Sequence, residues 1–245
     1  GRHPRPEGIH MTQLDGKVAI ITGASRGLGA AVARQLHSAG VRLGLASRGG
    51  GDLGIAGAVA PPCDVTAAGQ VQALVDATVA AHGRLDILVA NAGIGIYGDF
   101  ADLAIEEIDR VIDVNLKGTL YAAHAAIPHL RASGAGDLVV VASVAGLRGL
   151  PGEAIYSASK FGQVGFIRAL DHELMPAGVR CTNISPGGIA TDFAMGHGRT
   201  PDMPELETMM SADEVAEVVL FALTRPRSHR LLTASFRPMG EDSWG

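Results

Sequence analysis

The stretch "AIYSASKFG" at 154–162 places Tyr156 and Lys160 four residues apart. The chain is sparing of both types. Its tyrosines are Tyr97, Tyr121 and Tyr156, and its lysines are Lys17, Lys117 and Lys160. On a helix, positions i and i+4 share a face, one turn apart. A cation beside a phenol favours the phenolate, so Tyr156 is expected to have a pKa lowered toward working pH. Such a group suits general acid/base work. The same spacing also fits an ordinary amphipathic helix with a snorkelling lysine, so the surrounding elements must decide.

A second stretch with chemical content is "TGASRGLG" at 22–29. It lies between an apolar run, "KVAIIT" (17–22), and a helical pattern at 28–40 that Gly40 ends. Gly23, Gly27 and Gly29 let the backbone turn tightly and approach a ligand closely. The helix start offers free N–H groups and a positive dipole end, where a pyrophosphate can bind. The spacing is G-x3-G-x-G, and its place between strand and helix is the context of a dinucleotide site.

The elements that must hold these stretches alternate between short aliphatic runs and longer helical patterns, as βαβ units require. Strands are expected at 17–22, 41–47, 57–65 (weaker), 84–93, 137–143, 179–188 and 229–236, and helices at 28–40, 68–83, 104–130 and 153–175. The 104–130 pattern carries a distortion signal near Gly118. Ser211 and Glu214 form a capping box for a last helix through Leu223. The fold class is α/β: a Rossmann-type doubly wound parallel sheet of about seven strands, with helices on both faces. Residues 189–210 read as a lid, and 11–245 as one domain. The first ten residues read as a tag or disordered tail, with Met11 as the native start.

Composition narrows the function class. The 245 residues are 47% apolar and 18% charged with net charge −5, and no basic run occurs, so nucleic acid is excluded as the expected partner. No apolar run reaches the length of a membrane span. Cys63 and Cys181 have neither CxxC nor metal spacing and read as reduced thiols of a cytoplasmic protein. His124, His129, His172 and His197 show no ligand spacing, so no metal is expected.

With "TGASRGLG", "NAG" (91–93), Asn115, Ser143, "YSASK" (156–160) and "PGGIAT" (186–191) in this order, the chain resembles the single-domain short-chain dehydrogenases/reductases over roughly residues 14–236. The resemblance implies an NAD(P)-dependent oxidoreductase that interconverts a carbonyl and an alcohol. It implies that Tyr156 gives the proton to the carbonyl oxygen and that Lys160 lowers its pKa and binds the nicotinamide ribose. Ser143 would hold the carbonyl oxygen, and Asn115 would anchor a water and backbone relay to Lys160. The cofactor would meet Gly23, Ser25, Arg26, Gly27, Leu28, Ser47, Arg48, Asp64, Val65, Asn91, Ala92, Gly93, Tyr156, Lys160, Pro186, Gly187, Ile189 and Thr191. The helices at 104–130 and 153–175 would also pack against partner subunits, giving a homo-oligomer, tetramer ahead of dimer.

Three departures stand out. Ala90 replaces the first asparagine of the family's Asn-Asn-Ala-Gly. The 48–56 segment, "RGGGDLGIA", is too short for a crossover helix and leaves the adenosine side open. The tail "RLLTASFRPMGEDSWG" lacks the family's glycine-rich ending. At the end of the second strand the chain reads Ala46-Ser47-Arg48, with no acid to bind a ribose 2′-OH. Arg48 and Arg26 instead suit a 2′-phosphate, so NADP is expected over NAD. Asp64 is expected at the adenine. The substrate is expected to be a medium-sized, mostly apolar ketone, aldehyde or alcohol, walled by Ile94, Tyr97, Leu150, Phe193, Met195, Met203, Met209 and Met210. Two alternatives stay open. A 3-oxoacyl-(acyl-carrier-protein) substrate would need a basic entrance, for which Arg148 and Arg199 are available. A non-catalytic dinucleotide sensor is the other.

Overall fold

The computed structural model describes residues 11–241; the 1–10 segment lies outside them. Six strands form one sheet in the order β2-β1-β3-β4-β5-β6. They are β1 (Val18–Thr22), β2 (Arg42–Ala46), β3 (Ile87–Ala90), β4 (Asp137–Val141), β5 (Arg180–Pro186) and β6 (Thr233–Phe236). Every neighbouring pair is parallel. Successive side chains of a strand point to opposite faces, and β1 shows the consequence. Ala19 and Ile21 join the core under helices α1 (Gly27–Ser38) and α6 (Ala212–Thr224). Val18 and Ile20 join the core under α2 (Ala68–His82), α4 (Gly118–Ala132) and α5 (Ala154–Leu174). With both faces covered, the strands can be apolar throughout.

The sheet has six strands, one fewer than expected from the sequence. The 57–65 segment does lie along the outer edge of β2, but it makes only two isolated bridges, Gly44 to Val59 and Ser47 to Pro62. Pro61 and Pro62 carry no N–H, so a continuous ladder cannot form there. The short 48–56 segment contains no helix, as expected, and its Ile55 is buried in the core on the α1 side.

The 104–130 pattern is interrupted near Gly118. It divides into α3 (Ile105–Val111), a π-helical turn (Ile112–Lys117) and α4. Such turns recur at functional sites because they re-aim a side chain. Here the turn carries Asn115, fully buried. The expected capping box of α6 is present: Ser211 Oγ accepts from Glu214 N, and Glu214 accepts from Ser211 N.

The chain order reverses between β1 and β3. In open α/β sheets this switch point, at the strand carboxyl ends, is where a ligand crevice opens. β1 runs there into Gly23, and β3 into Asn91.

Candidate active site

The glycine loop is shaped by close approach. Gly23 has φ +68°, and a Cβ on it would lie 2.8 Å from the Ala92 Cα. A Cβ on Gly29 would lie 2.2 Å from the Gly23 carbonyl oxygen and 2.6 Å from the Asn91 amide nitrogen. The Asn91 side chain clamps this turn, donating to the carbonyls of Thr22 (3.0 Å) and Gly23 (3.3 Å). Thr22 returns the contact, its hydroxyl accepting from the Asn91 and Ala92 N–H groups at 3.0 Å. The start of α1 is capped by no side chain and has no acid in its first turn. Its N–H groups and dipole therefore face the crevice ready for an anion. Thr191 stands opposite, its methyl 3.5 Å from the Cβ position of Gly27.

A cavity of roughly 940 Å³ runs from this loop to α5. Every residue anticipated at the cofactor lines it, from Arg48, Asp64 and Val65 at one end, past Ser25 to Leu28, to Pro186, Gly187, Ile189 and Thr191. Ser143, Tyr156 and Lys160 line it too, whereas Asn115 lies behind the wall. Of the anticipated substrate walls, Ile94, Tyr97, Leu150, Phe193 and Met209 face the cavity; Met195, Met203 and Met210 do not. Met210 packs instead against the core on the α1 side.

Ser143 stands two residues past the end of β4 and caps a short 3-10 turn, Val144–Gly146. A Cβ on Gly146 would lie 2.7 Å from the Lys160 carbonyl oxygen, so glycine lets this turn sit directly on α5. That contact sets Ser143 beside Tyr156, near enough for its hydroxyl to lower the phenol's pKa. Tyr97 stands edge-on to Tyr156 with ring centroids 5.4 Å apart, and its hydroxyl also lowers the Tyr156 pKa. Phe193 covers the other side at 5.8 Å.

Lys160 is buried one turn along α5. Its ammonium donates to the Val141 carbonyl (3.1 Å) and lies 5.7 Å from the Tyr156 ring centroid. Asn115 is held by both ends of its amide. Its Oδ1 accepts from Ile94 N (2.8 Å), and its Nδ2 donates to Ile94 O (2.9 Å) and Ser159 Oγ (3.0 Å). Its backbone carbonyl accepts from Gln163 Nε2 and from the Thr119 hydroxyl, both at 2.8 Å. Asn115 Oδ1 and Lys160 Nζ converge on Gly93, 3.5 and 3.7 Å from its Cβ position.

The electrostatics correct one expectation from the sequence. The Tyr156 pKa is not lowered: burial pushes it up to about 12, partly offset by the Ser143 hydroxyl, the Arg199 charge and the Tyr97 hydroxyl. Burial also brings Lys160 down, to about 7. Only the protonated fraction of Lys160 favours the phenolate, and burial reduces that fraction.

Four polar side chains of the expected cofactor set line the cavity with these surroundings. The Ser47 hydroxyl donates to the Gly50 carbonyl (2.9 Å), so its proton is engaged. Asp64 turns back on its own loop, accepting from Thr66 N and Oγ1. These bonds hold its carboxyl below the usual range. Arg26 is exposed and 3.8 Å from Asp192, while Arg48 is exposed at the mouth of the cavity.

Some contributors went unread in the sequence. Thr22, Ser159 and Gln163 carry the clamp and the Asn115 network. Ser159 and Gln163 stand three and seven residues beyond Tyr156, on helical spacing, which was the available signal. Glu241, from the tail, accepts from Gly188 N (2.8 Å) and lines the cavity.

The short-chain dehydrogenase family model matches residues 17–202. This chain is a short-chain dehydrogenase/reductase. Over 94% of its length it is 36% identical to an uncharacterised oxidoreductase of Staphylococcus aureus, covering all of that protein. An alcohol dehydrogenase from Thermococcus sibiricus, solved with 5-hydroxy-NADP, superposes with a TM-score of 0.83 at 30% identity, covering 94% of this chain and 99% of that one. A 3-ketoacyl-(acyl-carrier-protein) reductase from Brucella melitensis, solved with NADH, gives 0.82 at 27%, with 92% and 98% covered. The short-chain dehydrogenase described here is thus an NAD(P)-dependent enzyme, and the uncapped helix, glycine cradle and crevice fit a nicotinamide dinucleotide. No helix among the described residues is long and apolar enough to cross a membrane.

Proposed function

We propose that this enzyme interconverts a carbonyl and an alcohol on a medium-sized, mostly apolar substrate, with Tyr156 as general acid/base. The observation that carries this is Tyr156 at the cavity wall beside Ser143, one helical turn from a buried lysine. A bound nicotinamide dinucleotide supplies the hydride. A substrate oxygen beside Tyr156 meets two donors, the Ser143 hydroxyl and the phenol. With a pKa near 12, Tyr156 holds its proton at neutral pH and can deliver it to the alkoxide that forms in reduction. Lys160 in its charged form then steadies the phenolate left behind. Asn115 is a positioning residue: it fixes the Ile94 backbone and the start of α5 against each other.

NADP(H) is the preferred cofactor in this reading. Arg48 and Arg26 sit at the cavity mouth and β2 ends without an acid, which suits a 2′-phosphate. Asp64, with Val65, borders the adenine side. The apolar wall of Ile94, Leu150, Phe193 and Met209 favours an apolar substrate body. A carrier-protein-linked substrate finds less support: Arg148 is engaged with Glu153, and Arg199 is half-buried within the cavity rather than outside it. The 189–210 segment is a lid that orders over bound substrate. Phe161, exposed on α5 beside the catalytic residues, supports packing of that helix on a second copy in a homo-oligomer. The buried unpaired Cys63 and Cys181 suit a cytoplasmic enzyme.

The test is turnover. Mixed with NADPH and a panel of apolar ketones, the enzyme oxidises the cofactor, read from nicotinamide absorbance. No oxidation above the rate without ketone, across the panel and with NADH as well, would contradict the proposal.

A further inference from the structure

Arg199 stands at the substrate end and neither gives nor takes the proton in the reaction above. It is half-buried and lines the cavity. Its guanidinium lies 5.9 Å from the Phe193 ring centroid, and Phe193 in turn lies 5.8 Å from Tyr156. Nη1 donates to the Ile189 carbonyl at 3.1 Å. It forms no ion pair among the described residues, whereas Arg148, lining the same end, is paired with Glu153. A guanidinium offers five N–H donors in a planar fork that matches a carboxylate. One donor is bound to Ile189, and the Phe193 ring lies to one side of the guanidinium. The charge also reaches the reacting groups, lowering the pKa of both Tyr156 and Tyr97. None of the cavity's acids forms an ion pair with it among the described residues: Glu153 is taken by Arg148, Asp192 faces Arg26, and Glu205 is exposed to water, which screens it.

We infer that Arg199 holds a carboxylate of the substrate, so that the enzyme acts on an oxo acid and the matching hydroxy acid. The carbonyl sits at Tyr156 and Ser143, the apolar linker passes Phe193 and Leu150, and the acid group reaches the Arg199 fork. This rests on the carbonyl–alcohol reading above and narrows it to an anionic substrate with an apolar middle. Half-burial makes the pairing count, since a carboxylate bound there loses less to solvent screening than one at the surface.

The experiment compares 4-oxopentanoate and 5-oxohexanoate with their methyl esters, which keep the carbonyl and remove the charge. With NADPH, the wild-type kcat/KM for at least one acid exceeds that for its ester by roughly 10-fold or more, the range of one charge-assisted hydrogen bond. In Arg199→Met the acid-to-ester ratio falls toward one, and Arg199→Lys retains part of it. If Arg199 only ties the loop to Ile189, both substrates lose alike and the ratio is unchanged, which overturns the inference. Ester preference in the wild type overturns it too. If neither acid nor ester is turned over, the ketone panel above tests the reaction assignment separately. Calorimetric titration of acid and ester into the enzyme with NADP then decides: tighter acid binding that Arg199→Met abolishes upholds the carboxylate site, and equal binding removes it.

Discussion

Lys160 makes a prediction that needs no substrate. The side chain is 3% exposed, and burial brings its pKa from 10.5 down to about 7. Between these values the unfolded chain holds the lysine proton and the folded chain largely does not. The unfolded state then binds more protons, so stability rises with pH across the window. The burden of the buried charge is greatest below about pH 7 and vanishes above 10.5. One proton difference is worth ~1.4 kcal/mol per pH unit. From pH 7 to pH 9, allowing for half-titration at the lower end, the gain is about 2 kcal/mol. Lys160→Met keeps the aliphatic stem and removes the titration. Urea unfolding of the two proteins at pH 7, 8 and 9 therefore gives a stability difference that narrows or changes sign by about 2 kcal/mol in favour of the wild type. A difference independent of pH would show that Lys160 keeps its proton in the folded protein. The argument that its charge is costly in this pocket would then fall.

Three further predictions address the remaining parts of the site. Gly29→Ala forces a methyl against the Gly23 carbonyl and the Asn91 amide, an overpacking of ~1–3 kcal/mol, and should weaken dinucleotide binding at least 10-fold by fluorescence titration; unchanged affinity would mean that this turn does not cradle the cofactor. Arg48→Asp should weaken NADPH binding more than Arg48→Ala, by roughly 10- to 150-fold against wild type, and leave NADH nearly unaffected; tighter NADH than NADPH binding in the wild type would refute the NADP preference. Tyr97→Phe removes the hydroxyl that lowers the Tyr156 pKa. Alcohol oxidation requires the phenolate, so its pH profile should move to higher pH, and a profile that stays or moves down would contradict the contact.

The placement of the candidate site was legible because its residues are local signals in fixed order. Gly23, Gly27 and Gly29 follow a strand and open a helix, and Tyr156 and Lys160 share one helical face, so short-range geometry was enough to place them. The weak third strand was misread because the aliphatic run of 57–65 outweighed Pro61 and Pro62, whose missing N–H groups decide the pairing. The Tyr156 pKa was misread because spacing shows a neighbouring cation but not how dry the pocket is, and burial is the larger effect. Tyr97 and Arg199 come from segments distant in the chain. Their approach to Tyr156 depends on how the 193–199 loop folds over β3's exit, where Tyr97 N donates to the His197 carbonyl (3.0 Å) and no short-range pattern exists to read.

The central claim is that Tyr156 is the proton donor and not merely part of the cavity wall. Tyr156→Phe keeps the ring and its packing against Tyr97 and Phe193 and removes only the hydroxyl. The direct measurement is kcat of this variant on a ketone the wild type reduces, alongside NADPH affinity by titration. The account predicts a loss in kcat of at least ~100-fold with cofactor affinity almost unchanged. Wild-type kcat in the variant would contradict it.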